Sequence, residues 1–328
     1  MSEQLTNIPK LPKLSVFRNM TPGKRREMWI SLLFIAPWLI GFILFTFLPT
    51  LFTILFTFMD LKQNASIVKA LASPQFIGFS NYVQYFKDPQ VIDSLWITVR
   101  YGLIALPVGI GVPLGLALLM NNKYLPAKNI FRSLFYMPFI IPLVAAVFLW
   151  LGMLNPESGW INRALLFLGT PKASLPQWVF ATNTVYPAYV IMGLWGVGQT
   201  MLIMLAGLQG VPTELYDAAN MDGANTWQQF WNVTFPMISP VIFFNLVLSV
   251  VGLFQFFLIP LVINTGSGAP GGATMFYNVY LFRTLFTFQN MSYGSTLAWG
   301  LFVVILLVTV LLFWSSKYWV YYAGDGRN

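Results

Sequence analysis

Long apolar runs alternate with short polar ones along this chain. Apolar residues dominate at about 29–58, 96–120, 133–154, 185–208, 237–263 and 295–313. A helix crossing a ~30 Å hydrocarbon layer needs roughly 20 residues. The pattern therefore predicts an all-α, multi-pass membrane protein with six transmembrane helices. The first run is longer than one crossing requires, so it is expected to tilt or to extend past the bilayer. It also lacks a following small-residue cleavage site and reads as an uncleaved span. Pro37 and Pro49 are its expected kink points, since each removes a backbone hydrogen bond. Pro138 and Pro142 fall in the third run, and the Gly/Pro-rich stretch 264–272 closes the fifth.

The polar segments set the orientation. Residues 1–28 form a basic segment with Lys10, Lys13, Arg18, Lys24, Arg25 and Arg26, and 121–132 adds Lys123, Lys128 and Arg132 without an acid. Lys62, Lys69, Lys87, Arg163, Lys172 and Arg283 are spread over longer connections on the other side. Dense basic clusters stay in the cytoplasm, which predicts that both termini, the tail 323–328 and the loop 211–236 are cytoplasmic. Hydrophobic residues make up 57% of the chain and charged ones 9%, against about 25% charged in soluble domains. The net charge of +8 is no nucleic-acid signature, because six of the 18 basic residues lie in the first 26 positions. Cysteine and histidine are both absent. That excludes disulfides, thiolate chemistry, and the commonest general base and metal ligand.

One polar stretch between the fourth and fifth runs, 211–236, reads as two short amphipathic helices. Pro212 suits a first helical position, and Glu214 and Asp217 lie toward the positive end of the helix dipole. Leu215, Ala218, Ala219 and Met221 give a narrow apolar face, Asp222-Gly223 marks a turn, Asn225 or Thr226 caps a second helix, and Pro236 is expected to end it. Such a pair is either an ordered loop or the docking element for a soluble partner.

The sequence Asp217-Ala218-Ala219, Gly223 four residues later, Val233 and Phe235-Pro236 resembles the EAA loop of bacterial ABC-importer permeases. That loop's Glu-Ala-Ala is followed at fixed spacing by Gly, an aliphatic residue and Leu-Pro; Asp217 stands here where the family has Glu. The flanking Leu215-Tyr216, Ala224 and Phe230-Trp231, with Phe76–Tyr82, Asp88-Pro89 and Gly159–Arg163, are similar to the sugar permeases of the maltose and glycerol-phosphate type. The likeness is to the partner with the basic N-terminal extension. The resemblance implies a type I importer fold in which Glu214, Asp217, Ala218, Ala219, Met221, Asp222, Gly223 and Pro236 form the coupling helices. It also implies a bacterial inner-membrane location and a second permease subunit. Two ATP-binding-cassette ATPase subunits and an extracytoplasmic solute-binding protein complete the implied assembly. This chain carries no phosphate-cradling Gly-x-x-x-x-Gly-Lys-Ser/Thr sequence. No cofactor is expected on it, ATP and Mg belonging to the partner ATPase, and it is not expected to be an enzyme.

The spans bear on the cargo. Apart from Arg100 near one end, they hold almost no ionisable side chain, whereas ion-coupled carriers need such groups within the membrane. Neutral polar residues are present instead: Gln199 in the fourth run, and Asn245, Ser249 and Gln255 in the fifth, the last among Phe254, Phe256 and Phe257. Hydrogen-bonding groups beside aromatic faces suit a neutral sugar, although a lone Asn or Gln in a span also serves as interhelical glue. In maltose-type relatives the substrate is held mainly by the later spans. That resemblance adds Gly196 and Gly252 to Gln199, Asn245, Ser249, Gln255 and Phe256 as candidates for the path. An ATP-independent facilitator or channel, and a membrane scaffold, are the alternatives from other classes.

Overall fold

The computed structural model describes residues 21–61 and 75–322. The basic stretch 1–20, Lys62, Lys69 and the tail 323–328 lie outside the described residues. Among the described residues four helices are long and apolar enough to cross a membrane, and two further helix pairs qualify if each bent pair counts as one span, giving up to six.

Two units are distinguished, divided at Phe56. In the first, α1 (Pro22–Phe42) opens with Pro22 in its first turn, where a missing N–H costs nothing. The last part of the basic segment is thus helical. A widened π-turn, Ile43–Phe47, joins α1 to α2 (Leu48–Thr57). Pro49 cannot donate to the carbonyl of Phe45, and the extra residue in the turn before it relieves that clash. No residue of Pro22–Phe47 is buried within the chain, the condition expected of a helix solvated by lipid or by a partner.

The second unit opens with β1 (Met59–Asp60) paired antiparallel to β2 (Gln75–Phe76), Met59 opposite Phe76. Next come α3 (Ser80–Lys87) and the 33-residue α4 (Pro89–Asn121), which at ~1.5 Å per residue outlasts the hydrocarbon layer. Pro89 and the N-cap Asp88, whose carboxylate accepts from the Gln90 N–H at 2.9 Å, fix its start. α4 is the axis of the unit: the helices Val185–Leu194, Gly198–Gln209, Phe235–Phe254 and Tyr277–Phe282 all pack on it.

Rather than running straight over 133–154, the third apolar stretch is bent by 102° between α5 (Lys128–Tyr136) with its 3-10 extension to Ile140, and α6 (Leu143–Met153). Ile141 is extended (ψ 130°) because it precedes Pro142, which disfavours the helical region for its neighbour. After α7 (Trp160–Phe167), the fourth stretch is also broken: α8 (Val185–Leu194) and α9 (Gly198–Gln209) meet at 57° across Trp195–Val197.

α10 (Thr213–Met221) and α11 (Thr226–Gln229) form the anticipated pair of short helices. Pro236, however, does not end the second one. Helical backbone passes through a π-turn at Phe230–Thr234 into α12 (Phe235–Phe254). The widened turn leaves the Asn232 carbonyl without need of the N–H that Pro236 lacks. Pro212 stands at the N-cap of α10, one place before the first helical position. α12 breaks at Gln255–Phe257, α13 (Leu258–Asn264) follows, and α14 (Tyr277–Phe282) and α15 (Met291–Trp319) complete the unit.

Buried side chains form three clusters along α4. Tyr101, Trp150, Tyr186, Tyr189, Leu253 and Phe276 gather toward its N-terminal half. Met120, Met201, Met204, Leu208 and Ile238 gather at its C-terminal end, and Val91, Phe254, Tyr277, Tyr293 and Leu297 join it to α15. Asp88 pins several of these elements. Besides capping α4, its second oxygen accepts from Tyr280 and Tyr293 hydroxyls, each at 2.5 Å, so one carboxylate holds the starts of α4 and α15 and the middle of α14. Replacing Asp88 by Ala is expected to cost about 2–4 kcal/mol, from a lost cap and two charge-assisted hydrogen bonds. The thermal unfolding midpoint of the purified protein should fall by several degrees, and Asp88→Asn should recover part of the loss.

Candidate functional site

The α10–α11 pair satisfies its own polar groups. Asn225 accepts from the Gln228 N–H at 2.9 Å while the Gln228 side chain accepts from the Asn225 N–H at 2.8 Å, a reciprocal cap in which Asn225, not Thr226, is the capping residue. At the turn, Gly223 adopts φ +74°, the Ala224 N–H reaches back to the Ala219 carbonyl at 2.9 Å, and the Gly223 N–H reaches that of Asn220 at 3.0 Å. This is the left-handed C-terminal motif that favours glycine. Gln229 ties the two helices through Asn220 (2.6 Å) and the Ala224 carbonyl (3.0 Å), and Tyr216 meets the Thr234 hydroxyl at 3.0 Å.

With its turn and second cap closed internally, the hairpin still shows apolar surface. Met221 is 89% exposed and Trp227 68%. Leu215 and Ala218 are exposed with them, as are the acids Glu214, Asp217 and Asp222, while Ala219 is half-buried. Glu214 alone of these acids lies in the first turn of α10, so the dipole argument holds for it and not for Asp217. Pro236 is half-buried at the root of α12. A groove of about 880 Å³ separates the hairpin from the C-terminal end of α4, with Asn122, Tyr124, Tyr216, Trp227 and Phe230 among its walls.

The candidate path residues divide by position. Gly196, at the break between α8 and α9, lines two cavities. One, of about 180 Å³, includes Tyr101, Gly109 and Thr200; the other, of about 380 Å³, includes Trp150, Trp195 and Ile259. Gln199 is exposed in the first turn of α9. At the other break, Gln255 and Gly252 are exposed, and the Gln255 carbonyl accepts from Asn278 at 3.0 Å. Phe256 turns inward against Phe276 (5.0 Å, edge-on), Tyr101 (5.1 Å) and Tyr189 (5.8 Å). Both breaks therefore adjoin one aromatic cluster, which Trp195 and Phe256 share. Ser249 is half-buried. Asn245 is buried and donates one amide hydrogen to the Val241 carbonyl of its own helix at 2.8 Å.

Tyr101, Trp150, Tyr186, Tyr189 and Asn278 belong to this region but were not singled out in the sequence. Tyr186 and Tyr189 share a helix face at i, i+3 spacing within an apolar run, and that pairing of polar-tipped rings was the available signal. Among the described residues the buried Trp150 Nε1 and Tyr189 hydroxyl have no hydrogen-bond partner, and Trp150 lines the larger of the two cavities.

The broken apolar spans, the cavities at their breaks and the self-capped exposed hairpin are the features of a polytopic membrane protein with a docking element on one side. Residues 108–321 match the family described as binding-protein-dependent transport system inner membrane component, and the chain belongs to that family. It is 35% identical over 305 residues to the probable ABC transporter permease YesP of Bacillus subtilis, covering 91% of this chain and 94% of that one. It is 31% identical to AraP, the arabinooligosaccharides transport permease of the same organism, over 93% of each chain. To LacF, the lactose transport permease of Rhizobium radiobacter, it is 31% identical over 73% of this chain and 79% of that one. In fold it is similar to a chain of the bacterial alginate ABC transporter crystallised with its alginate-bound periplasmic protein. That superposition has a TM-score of 0.75 at 21% identity, covering 90% of this chain and 96% of the other. The chain is thus a multi-pass inner-membrane permease subunit of an ABC importer.

Proposed function

We propose that this subunit, paired with a second permease, moves a neutral sugar or oligosaccharide delivered by an extracytoplasmic binding protein. Two ATPase subunits that hold ATP and Mg drive the cycle through the α10–α11 hairpin. The observation that carries the coupling role is the contrast within that hairpin: the turn at Gly223 and the start of α11 are closed by internal hydrogen bonds, yet Met221 is left 89% exposed. Burying Met221 and Trp227 against a partner is worth about 1.5–3 kcal/mol each. The acids Glu214, Asp217 and Asp222 around them favour a basic rim on that partner. The hairpin and both termini then face the cytoplasm, in keeping with the basic cluster of the first 26 residues.

The sugar is supported by the relatives' cargoes, arabinooligosaccharides and lactose, and by the chemistry of the breaks. Gln199 and Gln255 stand next to the two breaks, and Trp150, which lines the larger cavity there with Trp195, carries an Nε1 hydrogen with no partner among the described residues. Purification of the chain from its native membrane in mild detergent, followed by mass spectrometry, is the test. A second EAA-bearing permease and a P-loop ATPase are expected with it, and the assembly in vesicles should import sugar only when ATP is supplied. Recovery of the chain alone, or ATP-independent flux, would overturn the reading in favour of a facilitator.

A further inference from the structure

At the end of the unit remote from the hairpin, the first turns of α4 carry a polar stripe on an otherwise apolar helix. Gln90, Asp93, Trp96 and Arg100 line a cleft of about 470 Å³, closed on its far side by Tyr186 and by the Gly271–Gly272 turn. That volume is within the range of small-ligand sites, about 300–1,000 Å³. The Gly271 and Gly272 backbones have φ +55° and +81°, and a Cβ on Gly271 would lie 2.9 Å from Thr182 Cγ2, so the wall approaches as closely as it does because it is glycine.

The cleft holds one carboxylate and one guanidinium that do not neutralise each other directly. Seven residues of helix separate Asp93 from Arg100, roughly 10 Å along the axis, and no ion pair joins them among the described residues. Arg100 instead lies over the Trp96 ring, 5.7 Å from its centroid, and holds the indole at the cleft wall while 55% of that residue stays exposed. Tyr186 has its hydroxyl fixed on the Ala273 carbonyl at 3.0 Å. A strong acceptor, a strong donor and an exposed aromatic face in one charge-balanced cleft are what a neutral saccharide ring requires. Its hydroxyls take both roles, and its C–H face stacks on the indole. A phosphorylated or multiply anionic ligand would meet Asp93 as well as Arg100.

We propose that this cleft is a second carbohydrate subsite, apart from the cavities at the helix breaks, in which a neutral sugar stacks on Trp96 while Asp93 accepts and Arg100 donates hydrogen bonds to its hydroxyls. It rests on the reading above, which places this end of α4 on the side of the binding protein. There the subsite receives the sugar before it reaches Gly196 and Gln255.

The chain has no cysteine, so a single Thr182→Cys substitution places the chain's one thiol beside the cleft. In the reconstituted importer, maleimide labelling of that thiol, followed on its own peptide, is measured with arabinotriose, maltotriose and lactose. The sugar that the assembly imports is expected to slow labelling at least ~5-fold at saturation. Trp96→Leu and Arg100→Met should abolish that protection and lower sugar uptake about tenfold, whereas Trp96→Phe, which keeps a ring, should retain most of both. ATPase stimulation by the sugar-loaded binding protein should stay within about twofold in all three. Normal import with no protection overturns the subsite alone. Protection by sugar-free binding protein, with ATPase stimulation lost in the Trp96 and Arg100 variants, also overturns it and makes the cleft a protein-docking surface. An assembly that imports none of the three sugars removes the functional reading, and the subsite with it.

Discussion

Gly223→Val is expected to reduce ATP-driven uptake at least ~10-fold while leaving membrane insertion and the amount of folded subunit unchanged. The reason is conformational rather than steric. An added Cβ at Gly223 meets nothing within 4 Å of it in this chain, but the residue adopts φ +74°, where a β-branched side chain is strained by about 1–3 kcal/mol. The backbone bonds from Ala224 to Ala219 and from Gly223 to Asn220 depend on that φ. Their loss re-aims α11, and with it Trp227, relative to Met221. Gly223→Asn, which tolerates the left-handed region, should keep most of the uptake. Comparing sugar transported per ATP hydrolysed in the two variants checks the argument; full coupled uptake by Gly223→Val would refute it.

Gly198→Ala should have the larger effect on the fold itself. A Cβ there would lie 2.1 Å from the Phe135 carbonyl oxygen and 2.7 Å from the Tyr136 Cα. Both are backbone atoms of the α5 end and cannot rotate away. The start of α9 would have to withdraw from α5, opening the 57° break that shapes the cavities around Gly196. Overpacking of this kind costs about 3 kcal/mol, the upper part of its usual range. Folded, monodisperse protein in detergent is expected to drop severely, most visibly by fluorescence-detected size exclusion after mild heating. Gly115→Ala, on α4 where nothing lies within 4 Å, should behave as wild type, since alanine is the better helix former. A Gly198→Ala protein as stable as the Gly115→Ala one would mean that α5 and α9 do not meet through this glycine.

Local chemistry made some of this legible in the sequence and hid the rest. The hairpin is readable because its signals lie close together in the chain: Glu214 at the start of one helix, Asp222-Gly223 at the turn, and Asn225 or Thr226 as the cap of the next. Pro236 misled because a proline normally interrupts the helix before it. The π-turn that lets the helix through has no sequence signature beyond the proline itself. Likewise Pro138 and Pro142 marked a weak point in the third stretch, but the 102° bend depends on how α6 packs once Ile141 is extended. The break at Trp195–Val197 falls in a run whose hydropathy is uninterrupted. Least visible was the aromatic cluster. Tyr101, Tyr189, Phe256 and Phe276 come from four distant segments, and only the folding of α8 and the α12 break onto α4 brings their rings within 5–6.5 Å of one another. Asn245 shows the other side of this: a polar residue in a span reads as a ligand for cargo, and the fold adds a bond to its own helix that the sequence does not display.

The reciprocal cap between Asn225 and Gln228 has a thermodynamic consequence for assembly. A hairpin whose turn and second helix are already closed has little backbone left to order there when it meets an ATPase, so docking releases water from Met221 and Trp227 without a large entropy penalty from the chain. Calorimetry of that step should accordingly show a distinctly negative heat-capacity change, while the acids around Met221 should make the affinity fall as ionic strength rises. Gln228→Ala, by unfastening the cap, should make the binding entropy less favourable while leaving the heat-capacity change nearly as it was.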